Sequence, residues 1–336
     1  MEKMLHSAPT HATLPDCFIF PADKLPPAKA SCTAVSLPII DLSGSRDEVR
    51  RAILDAGKEI GFFQARRDQP RRLQAGDAGH EAVCQEFFLL PAADKAALYS
   101  EDTQKNTRIY TSTMFEIGGE KYWRDCLRLA CAFPVVTGDS AMAWPDKPHR
   151  LREVVEKFTV QTRGLGMEIL RLLCEALGLR HDYLEGDISG GEVVLHVNHY
   201  PPCPDPSTTI GLPPHCDRNL LTLLLPSMVP GLEVEPVPYA FVVNFGCQLE
   251  VVTNGILKSI EHRVVTNLGV PRTTVATFIM PTTDCLIGPA EEFLSEDNPL
   301  CYRTLTFGEF KRIYSVVKLG SSLNLTTDLR NVQKEI

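Results

Sequence analysis

The chain changes its periodicity about halfway along. From Leu151 to Leu177 apolar residues recur at helical spacing with no proline, which predicts the longest helix, with a break near Gly164 and Gly166. From Glu192 onward, short β-rich runs alternate with Pro and Gly punctuation. Strands are expected at 192–200, 219–225, 239–245, 248–253, 257–266 and 272–280. Before the long helix, Val35 to Leu42 reads as a short strand. Ser45 ahead of Asp47 and Glu48 marks the N-cap of a helix running to about Gly57. Glu81 to about Leu98 reads as a second helical stretch. Residues 1–35, rich in Pro, Ala, Thr and His, have no period and read as an extended, partly docked arm.

This pattern predicts an α+β fold: the arm at 1–35, a helical region with short strands at 36–150, and a packing helix at 151–185. A β-barrel or sandwich follows at 190–290, and a helical tail at 291–336. At 336 residues the chain can bury a large core. Its 44% hydrophobic and 23% charged content is ordinary for a soluble protein, and a monomer is the default. No apolar run approaches the roughly 20 residues of a membrane helix. A net charge of −8 without a basic stripe removes the electrostatic footprint of nucleic-acid or anionic-membrane binding, leaving a small-molecule partner. The 11 cysteines are odd in number, include no Cys-x-x-Cys and follow no secretory segment, so reduced thiols in a cytoplasmic protein are expected.

Along a strand, residues i and i+2 face the same side. His215 and Asp217 form such a pair, as do Asn198 and Tyr200, and Arg272 and Thr274. Three inward pairs on three strands of one barrel converge on its mouth, where His262 completes a metal triad. Two histidines and one carboxylate, with open positions opposite, are the ligand set of non-haem Fe(II) oxygenases. Each piece alone is weak: a His-x-Asp is common by chance, a strand histidine is more often half-exposed, and an arginine is usually solvated. The combination carries the reading. Alternation turns Cys216 away, so it reads as a core thiol. His196 and His199 have no partner logic and read as surface or core residues. A zinc hydrolase on a β-barrel shares the ligands but leaves Arg272, Thr274 and the Asn198/Tyr200 pair unexplained.

The motifs Asn198-His199-Tyr200-Pro201-Pro202-Cys203-Pro204, Pro214-His215-Cys216-Asp217, Ser259-Ile260-Glu261-His262-Arg263 and Pro271-Arg272-Thr273-Thr274 resemble those of the plant 2-oxoglutarate- and Fe(II)-dependent dioxygenases. The resemblance covers most of the chain. It implies a double-stranded β-helix (jelly-roll, cupin-like) core with an N-terminal helical region. It also implies iron on His215, Asp217 and His262. Arg272 would hold the distal carboxylate of 2-oxoglutarate with Thr274, where serine is usual, and Asn198 and Tyr200 would contact the cosubstrate. The implied reaction is hydroxylation of a small plant metabolite with O2, releasing succinate and CO2, with ascorbate as reductant. Phe278 occupies a pocket-lining strand position. Tyr110, Phe115, Tyr122 and Trp123 are looser pocket candidates, with packing between the two halves as the competing role. The opening 64 residues, 118–131 and 317–336 are similar to a grass branch acting on mugineic-acid-type compounds, with relatives that hydroxylate indoleamines such as melatonin.

Two departures from the family pattern stand out. After Gly61-Phe62-Phe63-Gln64 the family continues with an apolar strand and an Asn-His-Gly turn, whereas this chain runs Arg66-Arg67-Asp68-Gln69-Pro70-Arg71-Arg72-Leu73. With free choice of codons, Arg67–His80 read one nucleotide later gives V-I-N-H-G-V-S-R-Q-V-M-R-D-M, the family's segment at its expected length. A local frameshift, real or in the sequence record and restored near Glu81, is therefore expected. The second departure follows Gly231-Leu232-Glu233-Val234, where about nine residues containing a Gly-x-Trp are absent before Glu235, and an unpaired edge is expected near the site. These two lesions support the alternative of a catalytically impaired, non-enzymatic paralogue.

Overall fold

The computed structural model describes residues 5, 12–25, 35–66, 70–112, 120–132 and 144–316, with backbone alone at 70–78 and 315–316. The strands are β1 (Ile39–Asp41), β2 (Phe62–Arg66), β3 (Arg108–Thr111), β4 (Asp125–Cys131), β5 (Val193–Tyr200), β6 (Leu212–His215), β7 (Leu221–Leu225), β8 (Phe241–Phe245), β9 (His262–Val264), β10 (Arg272–Ile279), β11 (Leu286–Ile287) and β12 (Leu305–Thr306). Eight of them form one sheet in the order β1-β2-β8-β7-β10-β5-β4-β3, while β6 pairs with β9 and β11 with β12. Apart from the parallel β1–β2 pair, the ladders are antiparallel.

Side-chain alternation sorts the central strands into two faces. Val193, Leu195, Val197, Leu221, Leu223, Phe241, Val243, Phe245, Val275 and Ile279 join one apolar core with the long helix Leu151–Ala176 and the helix α1 (Arg46–Glu59). The residues between them, including His196, Asn198, Tyr200, Thr222, Asn244, Arg272, Thr274 and Phe278, line a cavity on the opposite face. The β6–β9 pair closes that cavity, contributing Pro213, His215, His262 and Val264. A one-residue slip in any of these strands would carry its polar set into the apolar core, so the burial of one face fixes the register of the other.

Local elements follow the expected signals where those are strong. Ser45 accepts a hydrogen bond from the Glu48 backbone N–H, and its hydroxyl donates to the Glu48 carboxylate, so a side-chain N-cap starts α1. The long helix is unbroken from Leu151 to Ala176. Gly166 serves close approach instead of a break, because a Cβ there would meet Ile279 and Leu223 of the sheet. The expected strand at 248–253 is a helix, Cys247–Val252, and β9 is shorter than expected. A short apolar run buried on all sides carries no period to separate helix from strand. The expected helix at 81–98 is divided. Helix α2 spans Pro70–Leu89, and after Pro91 a short helix α3 (Ala92–Lys95) leads into a 3-10 turn, Ala96–Leu98. The buried Lys95 ammonium donates to the Phe88 and Leu90 carbonyls and satisfies the end of α2. Strands β3 and β4 carry no alternation visible in the sequence, yet they extend the large sheet beyond β5.

The shortened segment after Val234 leaves no open edge on β8, which lies between β2 and β7. Instead the arm crosses it: Val35 bridges Val234, and the Glu235 backbone N–H donates to the Val35 carbonyl. Further along the arm, Phe18 packs edge-on against Trp123, with ring centroids 5.1 Å apart, and the Phe20 N–H donates to the Thr208 carbonyl.

Much of the altered stretch lies outside the described side chains, but its last residue does not. His80 is fully buried, its ring centroid 3.8 Å from that of Phe158. Its Nε2 has no hydrogen-bond partner among the described residues. Burial pushes its pKa down to about 3. The shifted frame places methionine here, a residue suited to an apolar gap. A group that must stay neutral in the fold but charges in the unfolded chain contributes a penalty that grows as pH falls below its unfolded pKa of about 6.5. His80→Met is expected to raise thermal stability by about 1–3 kcal/mol and to flatten stability against pH between about 6.5 and 3. Denaturant melts at several pH values check this; an unchanged slope would show that the site tolerates the imidazole.

A candidate metal and cosubstrate centre

The two candidate metal-site histidines meet because they are cross-strand partners, His215 on β6 facing His262 on β9. Their ring centroids are 4.4 Å apart. Each imidazole is oriented by its own strand: Nδ1–H of His215 donates to the Pro213 carbonyl at 2.8 Å, and Nδ1–H of His262 to the Ile260 carbonyl at 3.1 Å. That leaves Nε2 of both rings bearing a lone pair, the tautomer a metal requires. Burial and the neighbouring His262 ring push His215 down, favouring the neutral form.

Asp217 lies two residues past His215 but beyond the end of β6, so a loop and not strand alternation aims it. The loop is seated on the start of the short helix Cys247–Val252. Cys247 N–H donates to the Asp217 carbonyl, Gln248 N–H to the Asn219 carbonyl, and the Gln248 side chain to the Arg218 carbonyl. Gly246 permits this approach, since a Cβ there would strike the Asn219 carbonyl. The carboxylate Oδ2 accepts from Thr222 Oγ1 at 2.5 Å and Asn244 Nδ2 at 2.8 Å. Its Oδ1 is 3.7 Å from His215 Nε2 and 4.0 Å from His262 Nε2. Burial works to raise the Asp217 pKa, but the two imidazoles and the Asn244 and Thr222 hydrogen bonds outweigh it and hold the carboxyl below its usual range. The three ligand atoms lie within 4.8 Å of one another. Two lone-pair nitrogens and one ionised oxygen, each fixed from behind, fit a divalent first-row metal. Cys216 points away: its thiol donates to the Ser259 carbonyl at 3.5 Å.

Across the cavity, Arg272 pairs with Tyr200 and Thr274 with Asn198 in the β10–β5 register. Arg272 is 3% exposed, and its guanidinium carbon lies 5.3 Å from the Tyr200 ring centroid. Its Nε donates to the Val229 carbonyl at 3.2 Å. No carboxylate pairs with it among the described residues, and burial lowers its pKa. A buried guanidinium without an acid is costly, and an anion in the cavity would offset that cost. Gly231 makes room for it, since a Cβ there would stand 2.7–3.0 Å from the Arg272 side chain.

Of the looser pocket candidates, Tyr110 and Phe278 line the cavity. Tyr122 and Trp123 do not. Tyr122 packs with Phe20 and Ile210, while Trp123 packs with Phe18 and Cys203 and donates its indole N–H to the Pro201 carbonyl. Both belong to the seam that docks the arm, where the burial of an aromatic ring is structural. Phe115 lies outside the described residues. His199 is a core residue, stacked on Phe88 with its Nδ1 2.9 Å from Thr273 Oγ1.

His196, Arg124 and Arg218 also line the cavity; His196, expected to be a surface or core residue, is a pocket residue instead. For His196 the signal was present, since it precedes Asn198 by two on β5 and shares its face. Arg124 stands just before β4, donating to Asn198 Oδ1 at 3.0 Å and to the Ser112 carbonyl, and only tertiary structure brings it there.

The chain matches two family models: the 2OG-Fe(II) oxygenase superfamily over residues 191–281, and the N-terminal region of non-haem dioxygenases in morphine synthesis over 37–153. It is 61% identical to the barley (Hordeum vulgare) 2'-deoxymugineic-acid 2'-dioxygenase and 55% identical to the barley mugineic-acid 3-dioxygenase, with 100% of each chain covered in both cases. In structure it is similar to JOX2 in complex with 2OG, Fe and JA, with a TM-score of 0.83, 30% identity, and coverage of 97% of this chain and 96% of that one. The two facing layers around the cavity are the double-stranded β-helix of these oxygenases. By sequence and by fold, the chain belongs to the 2OG-Fe(II) oxygenase superfamily and is a dioxygenase.

Proposed function

We propose that His215, Asp217 and His262 hold Fe(II), and that Arg272 and Thr274 bind the distal carboxylate of 2-oxoglutarate with Asn198 and Tyr200 beside it. The observation that carries this reading is the buried Arg272 guanidinium, without an acid partner, in the same cavity as the triad. Bound iron would supply the activation of O2 and the oxidation of the cosubstrate. The protein orients the ligands, grips the dicarboxylic acid and excludes water. The balanced reaction takes R–H, O2 and 2-oxoglutarate to R–OH, succinate and CO2, with ascorbate keeping the metal ferrous between turnovers. The substrate is a small plant metabolite, of the mugineic-acid type or an indoleamine such as melatonin. The ten described cysteines are free thiols, as a reducing cytoplasm would keep them. No described helix is long and apolar enough to cross a membrane. A catalytically impaired paralogue is the weaker reading, because the three candidate ligand atoms lie within 4.8 Å of one another and Arg272 is buried in the same cavity despite both departures.

Succinate formation should require Fe(II) and 2-oxoglutarate together, cease with a chelator and return with Fe(II) but not Zn(II). Turnover supported by zinc, or without 2-oxoglutarate, would overturn the assignment. Arg272→Gln should raise KM for 2-oxoglutarate by about thirty-fold or more, the cost of losing one partner of a buried charge pair. Gly231→Ala should act in the same direction by crowding the guanidinium, with a smaller rise. Steady-state kinetics with varied 2-oxoglutarate separates these effects from a uniform loss of folded protein.

A further inference from the structure

The cavity has more positive charge than one dicarboxylate needs. Among its lining residues Asp217 is the one carboxylate, whereas Arg124, Arg218 and Arg272 all reach it. In a chain of net charge −8 this is a local reversal of sign. Arg272 serves the cosubstrate under the reading above. Arg124 is committed to the Ser112 carbonyl and Asn198. Arg218 is different. It is half-buried, and its guanidinium makes no hydrogen bond or ion pair among the described residues.

The charged groups around it are mixed, with cations in the majority. Burial, then Arg124, Arg128, Arg218 and Arg108, holds His196 of β5 well below its usual pKa, so the pocket imidazole stays neutral. Arg218 also acts with Arg128 of β4 to lower Lys311, on the C-terminal helix Phe307–Val316, after the larger effect of burial. Tyr314 of that helix faces the same space and donates its hydroxyl to the Cys216 carbonyl. The nearby acids Glu192 and Asp284 act on Lys311, and Glu192 accepts from the Asn106 side chain; neither forms an ion pair with Arg218. The backbone under Arg218 is rigid, because its carbonyl accepts from the Gln248 side chain at 2.8 Å. A fork of donors therefore projects from a fixed backbone position next to a proposed metal ligand, with no acceptor among the described residues.

We infer that Arg218 is the anchor for a carboxylate of the primary substrate, making this a site for small carboxylate-bearing metabolites over neutral indoleamines. The inference rests on the dioxygenase reading and deepens it. A guanidinium beside Asp217 places the bound carboxylate at a fixed offset from the metal. It would thereby select which carbon faces the iron as well as which substrate enters. The Phe278, Ala276 and Tyr110 side chains supply the apolar wall against which the rest of the molecule lies.

The test separates binding from turnover. Under exclusion of oxygen, 2'-deoxymugineic acid and its carboxyl methyl ester are titrated calorimetrically into the full chain loaded with Fe(II) and 2-oxoglutarate. The wild-type protein should bind the free acid about ten-fold or more tightly than the ester, the scale of a charge-assisted hydrogen-bonded pair. Arg218→Gln should abolish that preference while the ester's affinity stays close to wild type, and Arg218→Lys should restore part of it. Equal binding of acid and ester to the wild type, no binding of either, or an acid preference that survives in Arg218→Gln would each overturn the inference. So would a loss of affinity for acid and ester alike in Arg218→Gln, the pattern of a structural role. Succinate release from the wild-type protein in air is the independent readout of the dioxygenase reading. Succinate formed without acid preference defeats only Arg218's role, whereas acid binding without succinate defeats only the reaction.

Discussion

Burial of one face of the large sheet is the constraint on which the site depends. Because Leu195, Val197, Leu223, Val243, Val275 and Ile279 must pack on the helices, the residues between them must face the cavity. The antiparallel register of β5 and β10 then sets Tyr200 beside Arg272 and Asn198 beside Thr274. The apolar core thus positions a buried cation that an isolated hairpin would leave in water. The cost of keeping Arg272 dry is met by folding energy elsewhere, and under the proposed function it would return as affinity for the cosubstrate carboxylate.

The proposed metal ligands depend on a second, smaller device. The β6–β9 pair is short, and its register shifts between Leu212 and His215, so it lacks the redundancy of the large sheet. Orientation comes instead from hydrogen bonds behind each ligand: backbone carbonyls for both imidazoles, and Thr222 and Asn244 for the carboxylate. Thr222 and Asn244 are themselves cavity-face residues of β7 and β8 and register partners. The large sheet therefore aims the carboxylate, and the two layers act as one unit.

Much of this was legible in the sequence because the informative residues sit at short spacings on strands. The pairs Asn198/Tyr200 and Arg272/Thr274 face the cavity as their spacing implies, and His262 meets His215 as the triad requires. Other features were hidden for physical reasons. Strand β4 reads Asp125-Cys126-Leu127-Arg128-Leu129-Ala130-Cys131, and its polar members are neutralised by distant partners. Asp125 accepts from Thr111 and from the Leu5 N–H, while Arg128 donates to the Lys105 and Asn106 carbonyls. The helix Cys247–Val252 replaced an expected strand because its role, donating to the Asp217 loop, is tertiary. Arg124 and Arg218 carried no local signal either, since what distinguishes them is which neighbours they have or lack.

The most direct test of the account is an anaerobic optical titration of the purified chain with Fe(II) and 2-oxoglutarate. Chelation of the keto acid by iron held on His215, Asp217 and His262 should produce a metal-to-ligand charge-transfer band in the visible. The band should saturate at about one Fe(II) per chain and vanish when succinate replaces 2-oxoglutarate. A spectrum indifferent to 2-oxoglutarate, or a band that persists in the Asp217→Ala protein, would contradict the centre described here.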